Sequence, residues 1–269
     1  AFAVAASVAC GVLFGLLPAL RAPARDMDLR GRGVGAAPQG WFVAAESALA
    51  GVLLVSAGTL GRTLSRLSSL DAGLDAKNVL VPRMALSPGV VTEPERMRSA
   101  WRDVLARARA VPGVEAVSMV DTVPMRAGNN QVVFSAKPGR TEAEDQALAL
   151  ATCVTPEYLR VMGLRLRAGR FFTEQDRVET TPVVVIDEEM ARRAFGGGEA
   201  VGQRVWIPDL GPDGFVVAGV VGHVRHWGPA LDDAAQVRAQ FYYPFAQLPD
   251  RFVRRWSELM SLAVRTSGP

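Results

Sequence analysis

The sequence predicts an α+β domain preceded by two apolar α-helices of membrane-spanning length. Three observations carry this. Residues 41–70 read WFVAAESALAGVLLVSAGTLGRTLSRLSSL and hold no charge between Ser47 and Gly61. Residues 1–20, AFAVAASVACGVLFGLLPAL, hold none at all. From Asn78 onward, short strand-like apolar runs alternate with amphipathic helical segments. About 20 apolar residues rising ~1.5 Å each cover roughly 30 Å, the thickness of bilayer hydrocarbon. A fully buried core helix is the competing reading of 41–70.

The 269 residues are 49% hydrophobic, enough for a sizeable core in one or two domains. The formal charge of +3 does not point to nucleic acid. Six of 30 basic and three of 27 acidic residues lie up to Arg66, so the remainder carries equal numbers of each. It also shows no basic cluster interleaved with aromatics. Two cysteines, Cys10 and Cys153, are too few for a disulfide framework and fall in regions of different character. The chain opens on Ala1 and stops at Ser-Gly-Pro, and reads as a piece of a longer one.

Residues 1–20 lack the basic leader of a signal peptide and read as the end of a transmembrane helix closing near Pro18. Gly11 and Gly15 form a small-xxx-small pair suited to close helix approach. Residues 21–40 form a polar linker with Arg21, Arg25, Arg30 and Arg32, which places it on the cytoplasmic side. The long segment after residue 70 is then extracytoplasmic. Within 41–70, Trp41 and Phe42 stand at the head, and Ser47, Gly51 and Gly58 share a face. Glu46 reads as an interfacial carboxylate rather than part of an ion path, because it lies near the edge of the apolar run. Leu60, Leu64 and Leu67 continue the helix beyond the membrane, up to Gly73.

In the domain, 71–269, Val79 to Leu86 reads as a strand. Thr92 to Ala110 reads as a helix with Met97, Trp101, Val104, Leu105 and Ala108 on one face. Thr92 and Glu95 have capping-box spacing, and Pro112-Gly113 ends the segment. Strands are expected at Val114–Val120, Val132–Ser135 and Ala147–Val154, with exposed loops at Arg126–Asn130 and Lys137–Asp145. A short helix follows at Glu157–Met162. Val183–Ile186 is a buried strand, and Asp187 caps a helix with Glu188 and Glu189 in its first turn, ending at Gly196. Gln203–Ile207, Phe215–Val221, Gln240–Tyr243 and Leu259–Arg265 complete the strands.

No residues here assemble a recognisable reaction centre. Nothing matches a P-loop, and Gly196-Gly197-Gly198 follows a helix and precedes an acid, so it reads as a turn. His223 and His226 are the two histidines. Their H-x-x-H spacing invites a metal, yet no third ligand stands nearby, and a surface position at a strand end is the expectation. Glu188 and Glu189 diverge by about 100° on a helix, which does not make an acid/base pair. No serine sits in a G-x-S-x-G elbow. The expected catalytic, cofactor and metal residues are therefore none, and the chain is expected not to be an enzyme.

Seven segments together resemble one family. They are GVLFGLLPALRA (11–22), GLDAKNVL (73–80), ARAVPGVEAVSMVDTVPM (108–125), TPEYLRVMGLRLRAGRFFTEQD (155–176), PVVVIDEEMARRAFGGGEAVGQRV (182–205), VVAGVVGHVRHWG (216–228) and FYYPFAQ (241–247). Their order resembles the MacB/FtsX-type ABC transporter permeases with a MacB-like periplasmic core domain. A permease end followed by a fresh unit resembles the duplicated orphan permease branch. The resemblance implies a non-catalytic inner-membrane subunit that couples hydrolysis by a separate ABC ATPase to movement of its outer domain for export. It also implies paired permease halves, and a membrane-fusion or outer-membrane partner. A signalling or assembly regulator of FtsX type is the alternative; a membrane-anchored hydrolase lacks a nucleophile and base. Within the motifs, Gly113 and Gly169 suit turns with positive φ, and Pro244 suits the end of an edge strand. His223 stands where the family often has an acid, so the resemblance does not carry a polar role over to that position.

Overall fold

The computed structural model describes residues 37–87, 93–126, 130–138, 147–257 and 260–268. The expected helix at 1–20, Cys10 and most of the Arg-rich linker lie outside them. The chain divides into two compact units at Gly61.

Helix α1 runs Ala37–Ser69, and its stretch Ala45–Ser69 is long and apolar enough to cross a membrane. Pro38 stands in its first turn and no proline follows until Pro82, so the backbone ladder is uninterrupted. Leu49, Leu53, Leu54 and Val55 are all exposed in the first unit, an apolar surface that water does not favour. Two hydroxyls in the apolar stretch are satisfied within the helix. Ser56 Oγ donates to the Val52 carbonyl at 2.7 Å, and Thr59 Oγ1 to the Ser56 carbonyl at 2.8 Å.

The second unit is built on one ten-stranded mixed sheet. Its strands are β1 (Val79–Leu80), β2 (Val114–Val120), β3 (Gln131–Phe134), β4 (Ala147–Val154), β5 (Leu166–Gly169), β6 (Val183–Asp187), β7 (Arg204–Val205), β8 (Phe215–Val221), β9 (Gln240–Pro244) and β10 (Ser261–Thr266). They lie in the order β1-β10-β2-β4-β9-β6-β8-β5, with β3 beside β4 and β7 beside β8. The helices are α2 (Pro94–Arg109), α3 (Tyr158–Met162), α4 (Glu188–Phe195) and α5 (Asp250–Ser257). Alternation along the strands sends side chains to two cores. On one face Val117, Met119, Cys153 and Ile186 pack with Met97, Trp101 and Leu105 of α2, Met190 of α4 and Val253 of α5. On the other, Val120, Val154, Val185 and Ala263 pack with Tyr158 and Val161 of α3, Phe171 and Phe172.

Several expected elements take a different form. The strand expected over Val79–Leu86 is regular only at β1. Pro82 cannot donate to a ladder, although its carbonyl still accepts from the Leu262 amide at 3.0 Å. Gln203–Ile207 shrinks to β7, because Trp206 exchanges both backbone bonds with Ser135 instead. Pro244 ends β9, which lies inside the sheet between β4 and β6 rather than at an edge. Thr92 lies outside the described residues. Glu93 holds the N-cap of α2 without a side-chain bond, and Glu95 turns to Arg102 at 2.8 Å instead. The sequence reading missed β5, whose four residues are all exposed, and α5, an eight-residue helix with only three apolar residues to mark its period.

Gly169 ends β5 at φ +69°, and a Cβ there would lie 2.3 Å from the Ala218 carbonyl oxygen of β8. The nearest atoms are all β8 backbone, which has no room to yield. Gly169→Ala should therefore lower the thermal midpoint of the domain by several degrees, whereas Gly211→Ala, with open space and ordinary φ, should not move it. Near-ultraviolet circular dichroism melts of both variants check this.

Candidate functional site

The chain leaves α1 through a segment bonded at almost every residue. Asp71 Oδ1 accepts the Gly73 amide at 2.9 Å, and its Oδ2 makes an ion pair with Arg165 at 2.8 Å. The Gly73 amide and Arg165 outweigh burial and hold this carboxyl below its usual range. The Ala72 carbonyl accepts the Arg225 amide at 3.0 Å. Gly73 has φ +78°, and a Cβ there would stand 2.1 Å from the His223 carbonyl oxygen, so only glycine fits. The Asp75 amide donates to the Met162 carbonyl at 2.9 Å. Arg265 of β10 then grips Asp75 from the other side, donating to its carbonyl at 2.6 Å and pairing with its carboxylate at 3.3 Å. Leu74, Val79 and Val81 pack on the core below. The exit of the helix is thus fixed to the loop after β8, to α3 and to β10.

His223, on which Gly73 rests, is itself clamped. Its Nδ1 lies 2.6 Å from Asp187 Oδ2 and its Nε2 2.8 Å from Asp232 Oδ2. Both carboxylates are fully buried. Asp187 Oδ1 caps α4 through the Met190 amide at 2.8 Å and also accepts the Gln240 amide at 3.0 Å. Asp232 Oδ1 accepts the Trp227 amide at 3.2 Å, and Arg238 stands 3.5 Å from Oδ2. Arg225 and Arg238 both reach Asp233, at 2.9 and 3.4 Å. Three acids therefore meet His223 and two arginines, and the charges balance when the imidazole is protonated. Burial works against a charged imidazole, but the bonds from Asp187 and Asp232 outweigh it and lift His223 to about 9. Burial also pushes Asp232 up, yet its bonds with His223 and the Trp227 amide bring it below the ordinary range. Burial dominates at Asp187 and raises it.

This corrects the expectation of two surface histidines. His223 has a buried polar role and His226 is 4% exposed. The expectation failed because Asp187 and Asp232 come from 36 residues before and nine after. Only the capping role of Asp187 had a local signal. Among the described residues no group of three or more His, Cys, Asp or Glu could hold a metal. Glu188 and Glu189 go to separate partners, Arg167 at 3.0 Å and Arg192 at 2.7 Å. Gly196 and Gly197 form the turn after α4 with φ of 63° and 84°. Cys153 is buried and free. Glu46 is exposed on α1, as are Gly51 and Gly58 of the small-residue face.

The architecture defines a class: a mixed α+β domain that follows a long apolar helix in the chain and holds a buried ion network beside residues 71–75. The chain belongs to the MacB-like periplasmic core domain family, whose model matches residues 47–269. Curated relatives agree. The macrolide export ATP-binding/permease protein MacB of Bdellovibrio bacteriovorus is 27% identical over 190 residues, covering 70% of this chain and 26% of that protein. The protein of the same name from Chromobacterium violaceum is 31% identical over 111 residues, covering 37% of this chain and 15% of that protein. The chain thus spans about a quarter of the length of the first relative. The periplasmic region of MacB from Actinobacillus actinomycetemcomitans matches with 17% identity and a TM-score of 0.43, covering 72% of this chain and 77% of that one. The resemblance to MacB/FtsX-type permeases is borne out at the level of the family.

The raised histidine fixes the sign of a pH effect. An unfolded histidine titrates near ~6.5, so the stability His223 supplies is complete below that and is lost as pH climbs through about 9. Asp121, lifted by burial to about 7, completes its own effect at lower pH. Between pH 7 and 9.5 the melting temperature of the detergent-solubilised chain should therefore fall. His223→Gln should melt well below wild type at pH 7, losing about 3–5 kcal/mol by leaving buried carboxylates without their partner. Its profile should be flatter above pH 7; an equal alkaline slope in the variant would assign the effect elsewhere.

Proposed function

We propose that the chain belongs to a non-catalytic permease subunit of an ABC export system. In this reading residues 1–20 end one permease half and 21–40 are a cytoplasmic linker. Residues 41–70 cross the inner membrane and continue as a stalk, and 71–269 form the extracytoplasmic core. The two halves pair, as in the duplicated orphan permease branch, and a separate ATPase supplies the energy. A membrane-fusion or outer-membrane partner would receive the cargo. The observation that carries the reading is the bolted exit. Asp71, Ala72, Gly73 and Asp75 between them meet Arg165, the loop after β8, α3 and β10, so a push or turn on the helix would reach the domain instead of being absorbed by a loop.

The orientation has a direct check. A cysteine at Gly35 should resist a membrane-impermeant thiol reagent in intact cells, and ready labelling there would reverse the topology.

Coupling is tested by two glycines inserted between Ser65 and Arg66. They cost about 1 kcal/mol each in helix propensity. They rotate the residues beyond the insertion by about 200° and displace them by about 3 Å. The domain should stay folded and the partner ATPase active, while export by the full-length protein fails. Normal export with the insertion would show a tethered domain, not a driven one. Intact ATPase control by a protein that moves no cargo would favour the regulator.

A further inference from the structure

One junction inside the sheet is closed by a single residue pair. β2 meets β4 through a single backbone pair, Val120 with Val154. β3 occupies the same edge of β4 from Ala147 to Leu150, so β2 reaches only its end. On either side the ladders are long: β10 pairs with six residues of β2, and β9 with five of β4.

Along this seam side chains stand where a partner strand would. The Val117 amide donates to Glu157 Oε2 at 2.9 Å, and the Met119 amide to Thr155 Oγ1 at 3.0 Å. The Cys153 amide donates to Asp121 Oδ1 at 2.9 Å, and the Asp121 amide to the Cys153 carbonyl at 3.3 Å. Ser118 Oγ lies 2.9 Å from Thr155 Oγ1. A side-chain acceptor follows a small rotation by changing its own torsions, which a backbone ladder cannot do. The β9–α5–β10 connection also crosses the seam. It is held to α2 by Arg98, which reaches the Leu248 carbonyl and Asp250 through a long, adaptable side chain.

Two features flank this seam. A cleft of about 850 Å³ lies along it, lined by Arg98 and Arg102 of α2, Met119 of β2, Glu174, Val178 and Phe245. The helix exit packs on the opposite face and is tied to both parts: Arg165, His223 and Arg225 belong to the β5–β8 part, and Arg265 to the β10–β2 part. We propose that the β2/β4 seam is a hinge about which the two parts of the sheet bend, changing the width of the cleft as the helix exit moves. The driving motion rests on the coupling proposed above; the hinge itself rests on the strand pairing.

Site-resolved hydrogen exchange of the whole chain in micelles tests it. In an antiparallel strand successive amides point to opposite neighbours. The amides of Val117, Met119 and Cys153, which face the seam, should exchange at least tenfold faster than those of Ala116, Ser118 and Val120, which face β10. Thr155→Val should speed Met119 further and leave Ser118 unchanged. Should that variant unfold, Glu157→Ala reads the same effect at Val117 alone. Spin labels at Arg102 and Val178 should show a broader distance distribution in the variant. Equal protection of both amide sets, or a label distance indifferent to loosening of the seam, overturns the hinge. Export that survives the two-glycine insertion would instead remove the driving motion and leave the exchange result standing.

Discussion

The junction depends on one imidazole between two buried carboxylates. Asp187 and Asp232 have no solvent to stabilise their charge, and each ion removed from water costs several kcal/mol even after relaxation. His223 and Arg238 offset that cost together, and the backbone amides of Met190, Gln240 and Trp227 fill the remaining acceptor sites. The same three residues draw together the start of α4, the start of β9 and the turn at Asp232. The backbone carbonyl of the same histidine is the surface on which Gly73 rests, so the ion network and the helix exit meet at one residue.

Where the exit is attached has mechanical consequences. A domain joined by a loose linker would keep its fold and ignore the helix. Here the linker carries an aspartate turn, a glycine that tolerates no side chain, and Asp75 gripped by an arginine from β10. The sheet beneath is not uniformly paired. β10 with β2 and β9 with β4 form longer ladders, whereas between β2 and β4 the seam is closed by Thr155, Glu157 and Asp121.

Much of this fold was legible in the sequence, for identifiable reasons. β2, β4 and β8 match their expected limits because each is a largely apolar run bounded by a turn. Met97, Trp101 and Leu105 are buried as their helical spacing required, with Val104 and Ala108 partly buried beside them. Asp187 caps its helix, and Gly113 and Gly169 adopt the positive φ expected of them. What failed was non-local. β5 has no apolar alternation, Pro244 gave no hint of its neighbours, and the surface reading of His223 lacked the two acids that the topology brings to it. The bolted exit was equally hidden, because a glycine before a strand reads as a terminator until the carbonyl above it is known.

Whether the helix drives the domain is read most directly from one distance distribution. Spin labels at Leu64 on the exposed side of α1 and at Glu199 after α4 span the exit. A rigid junction gives a distribution as narrow as that of two labels inside the domain, at Val178 and Glu199. A broad distribution between Leu64 and Glu199, beside a narrow one within the domain, would contradict the account.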